Sequence, residues 1–155
     1  MNIIYEPRGK AQEYCKLAAN LYKGCGHGCT YCYAVDATFS NCEQFHRNPA
    51  PRPKVLEKLR SDTLGFKADS PVLLSFTSDP YQPLDETLGL TREAIAILKR
   101  NGLNVSILSK GGLRATRDLD LLGPGDEVGA TLTFTDPVMS LEWEPRAASP
   151  LDRIK

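Results

Sequence analysis

The chain has 155 residues, 41% of them hydrophobic and 25% charged, with 19 basic side chains balanced by 19 acidic ones. These proportions are globular and exclude disordered and collagen-like classes, and the length suits one domain able to bury roughly 68–70% of its unfolded surface. No apolar run approaches the ~20 residues needed to cross a bilayer, so a membrane partner is not expected.

The charge is unevenly spread. The first 60 residues hold 9 basic and 5 acidic side chains and the remainder 10 and 14, a split of +4 against −4. Arg47, Arg52, Lys54, Lys58 and Arg60 lie close together, but they read better as a solvated helix face than as a phosphate-binding surface. Nucleic acid is therefore a disfavoured partner. The opening residues 1–6 lack a basic stretch leading into an apolar one, so a cytoplasmic location is expected.

Taken in chain order, the pattern alternates strands and helices. A short strand is predicted around 17–23, leading into a cysteine-rich loop. Residues 49–53, Pro-Ala-Pro-Arg-Pro, form a stiff connector. A helix is predicted over 54–64, with Pro53 at its start and Val55, Leu56 and Leu59 on one face. Residues 72–77 form a continuous apolar strand introduced by Pro71. The next helix spans about 92–101, with Thr91 as its N-cap, Leu90 stapled against Ile95 and Gly102 closing it. A third strand covers 104–109, a short helix 115–122, and a fourth strand 127–134, where Val128, Ala130, Leu132 and Phe134 alternate with smaller or polar residues. Strands separated by helices of this length imply an α/β fold with a parallel sheet.

Five cysteines are present: Cys15, Cys25, Cys29, Cys32 and Cys42. An odd count without a secretory leader argues against a disulfide framework. Three of them fall within eight residues, Cys25-Gly26-His27-Gly28-Cys29-Thr30-Tyr31-Cys32, where two glycines permit a tight wrap around a small inorganic centre. Structural zinc would need a fourth ligand from Cys42, His27 or His46. An iron–sulfur cluster held by three thiolates would leave one iron open to a substrate or cofactor. Spacing alone leaves both centres open.

The C-x3-C-x2-C spacing, with an aromatic residue before the last cysteine, resembles the signature of the radical S-adenosylmethionine superfamily. The wider stretch from Asn20 to Ala34 is similar to its spore photoproduct lyase-like branch. So are Thr77-Ser78-Asp79-Pro80-Tyr81-Gln82-Pro83, Ser109-Lys110, the segment Thr116-Arg117-Asp118-Leu119-Asp120-Leu121-Leu122, and the closing Glu144-Pro145-Arg146 with Arg153-Ile154. The resemblance implies a [4Fe–4S] cluster on Cys25, Cys29 and Cys32, with S-adenosyl-L-methionine chelating the fourth iron. A low-potential donor of flavodoxin or ferredoxin type would reduce the cluster, toward roughly −400 to −700 mV. One-electron cleavage of the sulfonium would then release a 5′-deoxyadenosyl radical. By the same resemblance Ser78, Lys110 and Thr131 hold S-adenosylmethionine and Tyr31 lies near its adenine. Lys110 is chemically suited to the carboxylate, as a compact cation with three donors. His27 reads as a loop-packing residue rather than a ligand, Cys15 and Cys42 as free thiols, and His46 has no assigned role.

Two departures from the branch matter. Its name-giving enzyme uses a further cysteine near the end of the second strand, where this chain has Phe76-Thr77-Ser78, so repair of a DNA photoproduct is not expected. An eight-unit barrel takes about 250 residues, so the six-unit partial barrel of this superfamily should need about 190. The expectation is therefore a single radical S-adenosylmethionine core domain over 1–155, an incomplete (β/α)6 partial barrel truncated after its fourth strand. Its substrate is unknown, and the alternative is a non-catalytic iron–sulfur or zinc-binding module, inactive alone because the barrel is incomplete.

Overall fold

A computed structural model describes residues 2–66 and 71–155. Its centre is a five-stranded sheet. Four of the strands run parallel: β2 (Leu17–Ala19), β5 (Val72–Leu74), β6 (Val105–Ser109) and β7 (Glu127–Ala130). Strand β1 (Ile4–Tyr5) adds an antiparallel edge beside β2, giving the order β1-β2-β5-β6-β7. A separate two-stranded ribbon pairs β3 (Tyr22–Lys23) with β4 (Ala50–Pro51). The architecture is α/β with a mostly parallel sheet, and among the described residues that sheet is open rather than closed into a barrel.

Register sorts the side chains onto two faces. Leu17, Ala19, Val72, Leu74, Val105 and Ile107 join one buried core. That core is covered by α3 (Val55–Thr63) and α5 (Leu90–Arg100), which contribute Val55, Leu59, Ala94, Ile95, Ile97 and Leu98. Each of these strands thus carries apolar residues at the period of two that a pleated sheet demands, and each helix carries them at the helical period. On the other face Ala18, Leu73 and Cys15 form a thin second cluster under Tyr5 and Phe76. This thinner face leaves room for a cavity.

Several predicted elements shift. The strand expected over 17–23 divides: β2 ends at Ala19, and the chain then turns to form β3 against β4. The proline-rich connector is therefore also a strand, because proline sets an extended backbone that an edge pair accepts. The strand expected over 72–77 ends at Leu74, where Ser75 adopts φ +68° and turns the chain across the sheet's end. The helix expected at 92–101 begins at Leu90, after a further helix α4 (Pro83–Leu88), with Gly89 at φ +60° between them. Thr91 is not the N-cap. It is buried inside the helix, its hydroxyl donating to the Pro80 carbonyl (2.5 Å) and its N–H to the Asp85 carboxylate (2.9 Å). Asp85 thus satisfies an N-terminal amide from outside the helix.

The helix expected at 115–122 is a 3-10 helix over Gly112–Leu121, drawn inward by the wholly buried Asp118, which accepts from Arg92 and Arg117. Strand β7 stops at Ala130, short of the expected Phe134, and Thr131 lies just beyond it, its N–H donating to the Ser109 carbonyl. Val128 shares a register row with Ile107 but is 50% exposed where Ile107 is 2%, so the helix-covered face gives out at β7. The C-terminal segment returns as α6 (Pro137–Trp143) and α7 (Pro150–Ile154). Among the described residues no helix is long and apolar enough to cross a membrane.

Candidate functional site

The cysteine loop follows β3 and runs into α1 (Tyr33–Ala37), with Cys32 at the helix N-cap position. Gly24 opens it at φ +75°, so close to the next segment that a Cβ would stand 2.4 Å from the Phe45 carbonyl oxygen. That same oxygen accepts from the Cys25 N–H at 3.1 Å. Phe45 belongs to α2 (Cys42–Arg47), and His46 beside it sets Nδ1 3.0 Å from the Cys25 carbonyl. The buried Gln82 accepts from the Gly26 N–H at 2.7 Å, tying the loop to the segment after β5.

Arg146 closes the loop from the C-terminal side. Its Nε donates to the Gly26 carbonyl (2.5 Å), its Nη2 to the His46 carbonyl (3.1 Å) and its backbone N–H to the His27 carbonyl (3.0 Å). The guanidinium lies where a Cβ on Gly28 would be, at 2.8 Å. The Thr30 N–H donates to the Trp143 carbonyl at 2.9 Å.

The loop and the strand ends border an open cavity of about 470 Å³, within the usual range for a small-molecule site. Cys25, Cys29, Cys32, Tyr31, Ser78, Lys110 and Thr131 all line it. Seven residues singled out from four separated stretches of sequence therefore meet at one place. They do so at the carboxyl ends of the parallel strands, where α/β folds build their sites. Tyr14, Tyr33, Phe76 and Leu108 supply apolar wall, and the Tyr33 hydroxyl donates to the Phe76 carbonyl at 2.6 Å. Tyr81 is not part of it: its ring is buried in the core with the Arg117 guanidinium 5.6 Å from its centre.

Asp79 joins the loop to the sheet. One carboxylate oxygen accepts from the Tyr81 N–H (2.8 Å) and the Ser109 hydroxyl (2.7 Å), the other from the Lys110 N–H (2.8 Å), with His27 Nε2 3.3 Å away. Burial pushes its carboxyl up, but His27 and these donors outweigh that and hold it well below the usual carboxylate range. His27 is 1% exposed and lies between Asp79 and the Arg146 carbonyl. Cys15 is a buried free thiol and Cys42 an exposed one.

Burial, with Asp79 adding to it, pushes the Cys25 thiol up to about 12. Burial likewise pushes Cys29 up to about 11, although the Lys110 ammonium works the other way. Both are thiols at neutral pH unless a cation joins them. The Lys110 ammonium sits 5.2 Å from the Tyr31 ring centre and 3.4 Å from Glu144 Oε1. Burial disfavours its charge, but Cys29, Tyr31 and Glu144 outweigh that and raise its pKa. The hydroxyl oxygens of Ser75 and Ser78 are buried without a protein partner. Both residues border the cavity, as does His27, whose Nε2 is likewise buried without a hydrogen bond among the described residues.

Among the described residues no three His, Cys, Asp or Glu side chains are drawn together around one ion. A tetrahedral zinc would bring its thiolates to about 3.8 Å from one another, given Zn–S of about 2.3 Å. A cluster that takes each thiolate on a different iron makes no such demand.

Four supporting residues lie in segments that carry the resemblance but receive no role from the sequence. Asn20 accepts from the Phe76 and Thr77 N–H groups, Gln82 holds Gly26, and Glu144 and Arg146 brace the cavity wall and the loop. The sequence draws attention to Glu144-Pro145-Arg146 without giving either charged side chain a role. Nothing local marks a side chain that acts across more than a hundred residues.

No family model matches the chain. It is similar to an uncharacterized protein of Mycobacterium tuberculosis, 27% identical over 150 residues, covering 90% of this chain and 44% of that protein. It is also similar to an uncharacterized protein of Methanocaldococcus jannaschii, 29% identical over 142 residues, covering 90% of this chain and 52% of that one. The chain thus spans about half the length of the curated relatives it matches. No solved structure matches.

Proposed function

We propose that this chain is the cofactor-binding part of a radical S-adenosylmethionine enzyme of the spore photoproduct lyase-like branch. In this reading Cys25, Cys29 and Cys32 hold a [4Fe–4S] cluster, and the cavity beside them receives S-adenosylmethionine. The observation that carries the reading is the shared cavity, which collects all three cysteines and all four residues expected to touch S-adenosylmethionine. The strand order gives further support to a partial barrel. β2, β5, β6 and β7 follow one another in chain order without reversal, as barrels do, whereas doubly wound sheets reverse at a switch point.

When bound, the reduced cluster and S-adenosylmethionine together supply one-electron cleavage of the sulfonium and a 5′-deoxyadenosyl radical. The chain's own residues bind and orient. Lys110 presents an ammonium to a carboxylate, Ser78 offers an unpartnered hydroxyl, and Tyr31 lays a ring along the wall. Thr131 adds a side chain at the end of β7. Cys25 and Cys29, thiols when free, would release their protons to solvent on taking a metal as thiolates.

Anaerobic reconstitution with iron and sulfide tests the proposal. A brown protein that binds S-adenosylmethionine and, when reduced, releases 5′-deoxyadenosine supports it. Tight zinc binding without iron uptake replaces it with a non-catalytic metal-binding module. Cys29→Ala should abolish iron retention, and retention by that variant would refute the ligand assignment.

A further inference from the structure

We infer that Glu144 is a positioning residue, one buried carboxylate that holds Lys110 and Tyr31 against the cavity. Its side chain is wholly buried and does not itself line the ligand space. One oxygen accepts from the Tyr31 hydroxyl and stands 3.4 Å from Lys110 Nζ. The other is 2.7 Å from Nη2 of Arg153, whose side chain is also wholly buried. Arg153 in turn donates to the Thr131 carbonyl (3.0 Å) and the Ala148 carbonyl (2.8 Å). Three cavity residues from the cysteine loop, the end of β6 and the end of β7 therefore share one anchor.

The division of charge makes this useful rather than merely tight. Glu144 keeps Arg153 as its partner when Lys110 turns toward an anion, so binding does not strand a buried carboxylate. Lys110 has three donors, and one held by Glu144 leaves the others for a ligand. Lysine carries a large rotamer freedom, and an ammonium already held in place loses less of it on binding. The Lys110 N–H is separately fixed by Asp79, so backbone and side chain are both set before a ligand arrives.

That the anion is the carboxylate of S-adenosylmethionine rests on the function proposed above; the positioning of Lys110 does not. The test uses the full 155-residue chain with Glu144→Gln. It also uses Glu144→Gln/Arg153→Gln, which removes the buried cation that the single variant leaves uncompensated. Competitive acetylation read by mass spectrometry compares Lys110 with Lys99, which is held by Asp126 at 2.6 Å and serves as the internal standard. In the metal-free chain Lys110 should label about threefold faster or more in both variants, the scale of losing a modest ion pair, with Lys99 unchanged. In the reconstituted chain S-adenosylmethionine should bind about tenfold more weakly at unchanged iron content, as expected for lost pre-organisation. Unchanged Lys110 labelling overturns the inference, and a parallel rise at Lys99 reassigns Glu144 to general stability. Wild-type chain that holds iron yet ignores S-adenosylmethionine would sink the functional reading, while the labelling would still decide the role of Glu144.

Discussion

Gly24→Ala isolates what the geometry of the cysteine loop demands. Gly24 and Gly89 both have positive φ, +75° and +60°, so an alanine at either site meets the same left-handed backbone penalty of about 1–2 kcal/mol. Each also gains about 0.4–1 kcal/mol from a stiffer unfolded chain. Their surroundings differ. A Cβ at Gly89 meets nothing within 4 Å, whereas at Gly24 it stands 2.4 Å from the Phe45 carbonyl oxygen and 3.2 Å from Pro49 Cα. Both neighbours are backbone, so the loop itself must shift. That displacement costs about 1–3 kcal/mol as overpacking. It also breaks the Cys25 N–H bond to Phe45, worth about 1 kcal/mol. Gly24→Ala should therefore be about 2–4 kcal/mol less stable than Gly89→Ala, the backbone terms cancelling between them. Urea unfolding of the two variants and the wild type, at matched slopes, measures the difference. Equal destabilisation would refute the reasoning, because it would mean that the carbonyl does not confine the loop.

The remaining predictions concern regions away from the cysteines. Burial raises the Asp126 carboxyl, but Lys99 and the N–H groups of Val105 and Gly123 outweigh it and lower its pKa in the folded chain. Its contribution is thus present above the unfolded carboxylate pKa of about 3.9 and fades as pH falls through the depressed folded value. The stability gap between wild type and Asp126→Asn should be largest at neutral pH and shrink on acidification, and a gap that widens toward acid would contradict the assignment. Strand β7 is an exposed parallel edge, so the isolated chain should self-associate at high concentration. Sedimentation velocity should show Val128→Lys, which places a charge on that strand, shifting the balance toward monomer; an unchanged or already monodisperse distribution would show that β7 is not the contact.

Much of the candidate site is legible in the sequence because its signals are local. Three cysteines at fixed spacing with glycines between them need only a short loop to face one point, and the structure sets all three on one cavity wall. The continuous apolar run that opens at Val72 and the helical period of Val55, Leu56 and Leu59 are likewise properties of ten or fewer neighbouring residues. Boundaries were less accessible. Leu74 ends its strand because Ser75 turns to positive φ, and Thr91 lies inside α5 because the Asp85 carboxylate caps that helix from six residues upstream.

Tertiary structure alone decided what braces the polar residues of the cavity. The sequence places Asp79 in a motif without naming its partners, and only the parallel pairing of β5 with β6 brings Lys110 and Ser109 to its carboxylate. Glu144 and Arg146 reach the cysteine loop from 113 and 120 residues away, through contacts that no window of sequence contains. The spacing of ligands and the period of side chains are set by bond geometry along the chain. The partners of a buried charge are set by the crossovers that fold distant segments together, because a charge out of water must find its counter-charge wherever the fold provides one.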